Sequence, residues 1–180
     1  MAVVEFTPQI PFVQDHQKGK NLCWIALAVC VKNHFESGSA LQQCQLAKVL
    51  LNIKGACCTQ AVKVPKKCDK PGQLEVALDE VSHLAADTAA NPNPKGGGPM
   101  TFAEIKDQID KNLPVCIFIK WVGQTFGHFS LISGYDESTG KQYVYVNDPL
   151  YGSGPQPYKR VVSNYNMDHG SWQYTYRLKV

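Results

Sequence analysis

The sequence predicts an α+β protein, and three observations carry that reading. Helix-period apolar patterns fill the chain to about residue 112, and β-favouring alternating segments fill the remainder. A Gly/Pro-rich stretch, Asn91 to Pro99, stands near the change of character. Helices first and antiparallel strands second imply a helical layer packed on a sheet, with a cleft between the halves. At 180 residues the simplest organisation is one domain over 1–180, with a helical half at about 13–112 and a β half at about 113–180.

Each element has its own signal. From Asn21 to about Phe35, apolar residues Leu27, Cys30, Val31 and Phe35 recur at helical spacing and Asn21 can cap the start, which predicts a central buried helix. Ser39 to Leu51 reads as a second helix, opened by a Ser39-x-x-Gln42 capping box and with Leu46, Val49 and Leu50 on one face. Gly55 to Gly72 is irregular, broken by Pro65 and Pro71, and leads into a third helix from about Gln73 to Leu84. Thr101-x-x-Glu104 opens a short fourth helix that ends near Asn112. Strands follow at Val115 to Lys120, His128 to Tyr135, Gln142 to Asn147 and Trp172 to Leu178. Asp136 to Gly140 makes the hairpin loop between the second and third.

Composition removes several classes of function. A formal charge of +3 with scattered basic residues is too small to imply nucleic acid, and Lys63, Lys66 and Lys67 read as a solvated loop. No stretch reaches the roughly 18 to 20 apolar residues needed to span a bilayer, and the N-terminus has no secretory-signal pattern. We expect a monomer without membrane or nucleic-acid partners. Of seven cysteines, Cys44, Cys57, Cys58 and Cys68 fall within 25 residues, a density that suggests bridges and an oxidising, secreted or extracellular destination. Four cysteines allow three pairings, and reduced thiols would instead suit an effector delivered into a target cell. A zinc site is disfavoured because no Cys-x-x-Cys occurs, and no cofactor is expected.

The chemistry concentrates in two places. Gln17 stands six residues before Cys23, which opens the apolar helical run. A thiol attacks as thiolate, which a helix N-terminus favours. Such a nucleophile needs a base, a group that orients the base, and donors for the developing oxyanion. His34 lies eleven residues along the same helix, roughly 16 Å away at ~1.5 Å per residue, and cannot reach. His16 is not excluded by distance, while His83 and His169 read as an exposed helix end and a loop. His128 begins a strand, and the next strand ends Asn147-Asp148-Pro149. An antiparallel hairpin brings the start of one strand beside the end of the next, so His128 and Asp148 are expected neighbours, with Asn147 the alternative orienter. Cys30 and Cys116 read as small buried hydrophobes. Trp24 and Trp121 read as core and cleft-wall aromatics.

Taken together, Gln17, Cys23-Trp24, Gly127-His128 and Asn147-Asp148-Pro149 resemble the papain-like cysteine peptidases. Within them they are similar to a bacterial group related to bacteriocin-processing peptidases and plant-pathogen effector proteases. Gln43-Cys44-Gln-Leu-Ala47, Cys57-Cys58 and Cys68-Asp-Lys-Pro71 add to the likeness, which spans roughly Val13 to Gly152. It implies a papain-like fold and a peptidase acting through a thioester acyl-enzyme. Cys23 would be the nucleophile, His128 base and acid, Asp148 orienter, and the Gln17 amide with the Cys23 N–H the oxyanion hole. The glycine and cysteine found just before the nucleophile of plant papains are absent, replaced by Asn21-Leu22. The expected partners are a polypeptide substrate and a protein inhibitor or immunity protein. Trp24, Trp121 and Gly127 would touch substrate, and Asn91 to Pro99 and Trp121 to Phe126 would wall the cleft. Two other readings compete: a papain-fold toxin or effector that deamidates, transglutaminates or transfers acyl groups, and a non-enzymatic binding module.

Overall fold

The longest apolar segment of the chain becomes its centre. In a computed structural model, which describes residues 6–57, 64–86 and 98–180, helix α1 (Cys23–Phe35) is buried continuously from Cys23 to Val31. A helix apolar on every side is stable only when other elements surround it. Helices α2 (Gln43–Leu50) and α3 (Leu74–Glu80) pack on α1, and α4 (Phe102–Asp110) completes the helical half. The Thr101/Glu104 capping box forms as the sequence predicts, with Thr101 Oγ1 accepting from Glu104 N.

Three local readings are corrected. The second helix starts at Gln43 with Gln42 and Gln45 as its capping box, because the Ser39 hydroxyl instead donates to Asn33 Oδ1 (2.7 Å) and braces the turn after α1. Val49 faces solvent, while Leu46 and Ala47 are buried. Asn21 does not cap α1: Leu22 occupies the cap position with no side-chain bond, and the Asn21 amide donates to Asp69 O.

Five strands form one antiparallel sheet in the order β4-β3-β2-β1-β5: β1 (Val115–Trp121), β2 (Gly127–Asp136), β3 (Tyr143–Asp148), β4 (Gly152–Pro157) and β5 (Gly170–Tyr176). β4 carries no strand signal, since its sequence is Gly-Ser-Gly-Pro-Gln-Pro. Its edge position explains how two prolines are tolerated. Short helices α5 (Tyr158–Ser163) and α6 (Tyr165–Asp168) also escaped the sequence pattern.

Central strand β2 is buried from His128 to Gly134 and packs against α1 and α4. The chain before α1 crosses the sheet, with Ile10 N bonding Ser133 O (3.0 Å). It then runs to the end of β3, where Gln17 N bonds Pro149 O (2.8 Å). Gln17 is thereby tied to the turn that follows Asp148. A disulfide joins Cys57 and Cys68 within the irregular segment, with Cα atoms 5.6 Å apart, and Cys44 on α2 is also disulfide-bonded. The Cys57–Cys68 bridge closes the irregular segment on itself. Cys58, Lys63 and 91–97 of the Gly/Pro-rich stretch lie outside the described residues.

Candidate active site

Strand pairing decides which side chains meet. β2 and β3 pair with Leu131 opposite Asn147, so one step further along the ladder Ser130 stands opposite Asp148. Side chains two apart on a strand share a face, which puts His128 on the same face as Ser130 and diagonal to Asp148. His128 Nε2 lies 2.8 Å from Asp148 Oδ1. Asn147, one residue away, points to the other face and donates to Ser133 Oγ (2.7 Å). The alternation of the strand removes Asn147 as an orienter of His128.

Asp148 is the most heavily bonded side chain of this region. Its Oδ1 accepts from Leu150 N (2.7 Å) and Tyr151 N (2.9 Å) as well as facing His128. Its Oδ2 accepts from Ser130 Oγ (2.7 Å) and Tyr165 OH (2.6 Å). Burial alone would push the carboxyl up, but bonds from His128, Tyr165 and the Tyr151 amide hold it below the usual carboxylate range. The group stays ionised in a site from which water is almost excluded. Ser130 could have been found in the sequence, two residues beyond His128 on the same strand face. Tyr165 had no such signal, because it arrives from a short helix whose pattern is silent.

Cys23, the first residue of α1, lines the same groove as His128 and faces its ring from the helical side, near enough to raise its proton affinity. Since Nε2 is committed to Asp148, Nδ1 is the nitrogen left for the thiol. Burial works against a charged imidazole here, yet the bonds and charges of Asp148 and Cys23 outweigh it and raise His128 from 6.5 to about 9. Trp121 stacks on the ring at 6.0 Å and 19°, and Tyr151 meets it edge-on at 5.8 Å. These rings fix the plane of the imidazole and shield its bonds from water.

The other free cysteines differ. Cys116 is fully buried in β1, where desolvation pushes its thiol up, and buried Cys30 is raised to about 11 for the same reason. Among the remaining histidines, His34 packs between Phe12 and Phe35, while His16 is exposed and offers its carbonyl to Gln43. His169 is exposed. His83 corrects its reading as an exposed helix end: it is buried, and Nδ1 lies 3.0 Å from Lys179 O.

Gln17 is buried, and its Nε2 donates to Gly19 O (2.7 Å) and Lys20 O (3.0 Å). The reverse orientation of the amide would set its oxygen against two carbonyls, so the loop dictates which end points where. Gln17 Oε1 is buried without a partner.

Cys23 and His128 open into a groove of about 730 Å³ between the two halves. Trp24, Trp121 and Gly127 all line it, as do Phe126 and Tyr151, so the groove is walled mainly by aromatic rings. Of the segment from Trp121 to Phe126, residues Trp121, Thr125 and Phe126 form wall; across from them runs Pro71-Gly72-Gln73. A Cβ at Gly72 would collide with the Trp24 indole, whose Nε1 donates to Lys70 O (3.0 Å). A Cβ at Gly127 would strike Phe118 and the Ile119 carbonyl. Both glycines let groove walls close tightly on the site. Among the described residues, no group of three or more His, Cys, Asp or Glu is placed to hold a metal ion.

The model of the Peptidase_C39 like family matches residues 7–180. The chain belongs to that family. It is therefore a papain-like cysteine peptidase, and the helical half packed on an antiparallel sheet is the fold expected of one. The likeness to bacteriocin-processing peptidases read from the sequence agrees with the match. No curated protein matches the chain. In this C39-like peptidase, Cys23 is the only cysteine that lines the described groove.

Proposed function

We propose that this chain hydrolyses peptide or isopeptide bonds through a thioester on Cys23, with His128 as base and acid, Asp148 as positioning residue and Gln17 as oxyanion donor. The observation that carries the reading is the placement of His128, bonded by Asp148 at 2.8 Å and lining one aromatic groove together with Cys23. With His128 raised to about 9, its ring holds a proton at neutral pH, the proton it will give to the leaving nitrogen.

The sequence of steps follows. The Cys23 sulfur attacks the carbonyl carbon, and the oxyanion forms toward the Cys23 N–H and the Gln17 amide. His128 gives its proton to the leaving nitrogen as the C–N bond breaks. It then takes a proton from the water that attacks the thioester, and the C–S bond breaks to release the acid and the thiol. For Gln17 to serve, one Nε2 hydrogen must turn from the loop to the substrate; the longer bond, to Lys20 O, is the one to yield. The aromatic walls favour apolar side chains beside the scissile bond, and the disulfides favour a secreted protein.

Iodoacetamide should alkylate Cys23 ahead of Cys30 and Cys116, and His128→Ala should slow that labelling by at least about tenfold. Equal labelling in both proteins would remove His128 as the group that activates Cys23. A peptide library compared between wild type and Cys23→Ala, read by mass spectrometry, identifies the reaction. Cut chains mean hydrolysis, whereas a gain of about one mass unit without a cut means deamidation, one of the acyl-transfer alternatives.

A further inference from the structure

The mechanism leaves unused a carboxylate that stands directly behind the oxyanion loop. Asp69 Oδ1 accepts from Asn21 N (2.8 Å) and its Oδ2 from Lys20 N (3.2 Å). Those two N–H groups belong to the peptide units Gly19–Lys20 and Lys20–Asn21. The carbonyls of the same two units, Gly19 O and Lys20 O, are the acceptors of Gln17 Nε2. In a trans peptide the N–H and the C=O point in opposite directions across one rigid plane. A carboxylate that captures both N–H groups on one side therefore aims both carbonyls to the other side, where the Gln17 amide sits.

We infer that Asp69 is a positioning residue for the oxyanion hole, acting on Gln17 through two peptide planes. The bond from Lys20 N keeps the Gly19 carbonyl, the shorter of the two Gln17 contacts, on Nε2, and this holds the amide in register while the bond to Lys20 O yields to substrate. Asp69 is itself anchored. It follows disulfide-bonded Cys68, its own carbonyl accepts from Asn21 Nδ2 (3.3 Å), and the next carbonyl, Lys70 O, holds the Trp24 indole. The approach is close: a Cβ at Gly19 would stand 2.6 Å from Asp69 Oδ1, so only glycine lets the loop lie on the carboxylate. The Cys57–Cys68 bridge then helps to fix the carboxylate that fixes the loop.

This inference rests on the proposed role of Gln17, and its test separates the two. In Asp69→Ala, kcat on a cleavable peptide should fall about tenfold or more with KM and the rate of Cys23 alkylation within about twofold, because alkylation passes through no oxyanion. Asp69→Asn, which keeps one accepting oxygen, should recover part of the loss. In a Gln17→Ala background, Asp69→Ala should add less than about twofold, since the two act as a unit. A loss that adds in full, or an alkylation rate that falls with kcat, would overturn the relay. A second readout needs no activity: in Cys23→Ala protein, Asp69→Ala should shift the Gln17 side-chain NH2 resonances and speed exchange of the Lys20 and Asn21 amides while α1 stays protected. Unmoved resonances would overturn the inference, whereas moved resonances with no cleavage by wild type would uphold it and fault the peptidase reading instead.

Discussion

The two walls of the groove reach the same few cubic ångströms by opposite means. The sheet wall is polar and networked: His128 and Asp148 are buried, and five groups converge on one carboxylate. The helical wall is apolar and mechanical: Cys23 is set by a helix buried along nine successive residues, with no side chain capping its start. A buried network controls charge, because each bond to Asp148 alters the proton affinity of His128. Dense apolar packing controls position, because a helix enclosed on all sides has nowhere to move. The proposed mechanism needs both, a base of defined charge and a sulfur at a defined place.

If that division is right, damage to the sheet wall should appear in pH profiles and damage to the helical wall in stability. The largest effect belongs to Asp148→Asn, which removes the charge while keeping an acceptor. The alkaline limb of kcat/KM, expected near pH 9 where His128 loses its proton, should move down toward 6.5, and the rate at pH 8 should fall about a hundredfold. An unmoved limb would disconnect Asp148 from His128.

The next effect crosses the two walls. His128 is held above its ordinary 6.5, so it contributes stability that is full below about pH 6.5 and is lost as the pH rises through about 9. Asp148 works in the other direction: held below its ordinary 3.8, it contributes stability above that value which is lost as the pH falls further. Cys23→Ala deletes one of the groups that raise His128. The alkaline decline in melting temperature should therefore begin at lower pH in that variant, while the acid decline stays where it was.

A smaller effect is expected of Tyr165→Phe, which removes a single bond to Asp148 Oδ2 and leaves the remaining partners. Denaturant titration should show a loss of about 1 to 2 kcal/mol, with kcat reduced only a few-fold. The smallest is Cys30→Ala on α1, which should cost about 1 kcal/mol of stability and leave turnover within about twofold. A large loss of activity there would mean that the sulfur on the helical wall is electrostatically coupled to the network after all.

How much of this was legible beforehand varies with the range of the interaction that carries it. The nearness of His128 and Asp148 could be read because an antiparallel hairpin brings the start of one strand beside the end of the next, although a bulge between Ile132 and Gly134 shifts the register by one residue. The two-residue period of strands separates Asp148 from Asn147, although choosing between them required knowing which face looks at α1. Tyr165 and Asp69 were invisible for another reason. Each reaches its partner over a gap of 17 or 48 to 49 residues, from a short helix in one case and an irregular loop in the other. The helical capping box at Ser39 was a local pattern that lost to a competing local bond with Asn33.

The amino-acid sequence by itself determined the α+β class, the order of the first four helices and of four of the five strands, the family likeness and the candidate pair Cys23 and His128. These depend on periodicity and on residue types at close spacing, which any compact form of the chain must respect. Only the tertiary structure decided how the site is supported: the bonds that load Asp148, the aromatic rings that hold His128, and the Asp69 carboxylate behind the Gln17 loop. Those depend on where unrelated segments happen to meet, and that follows from burying α1 against the sheet rather than from any local rule.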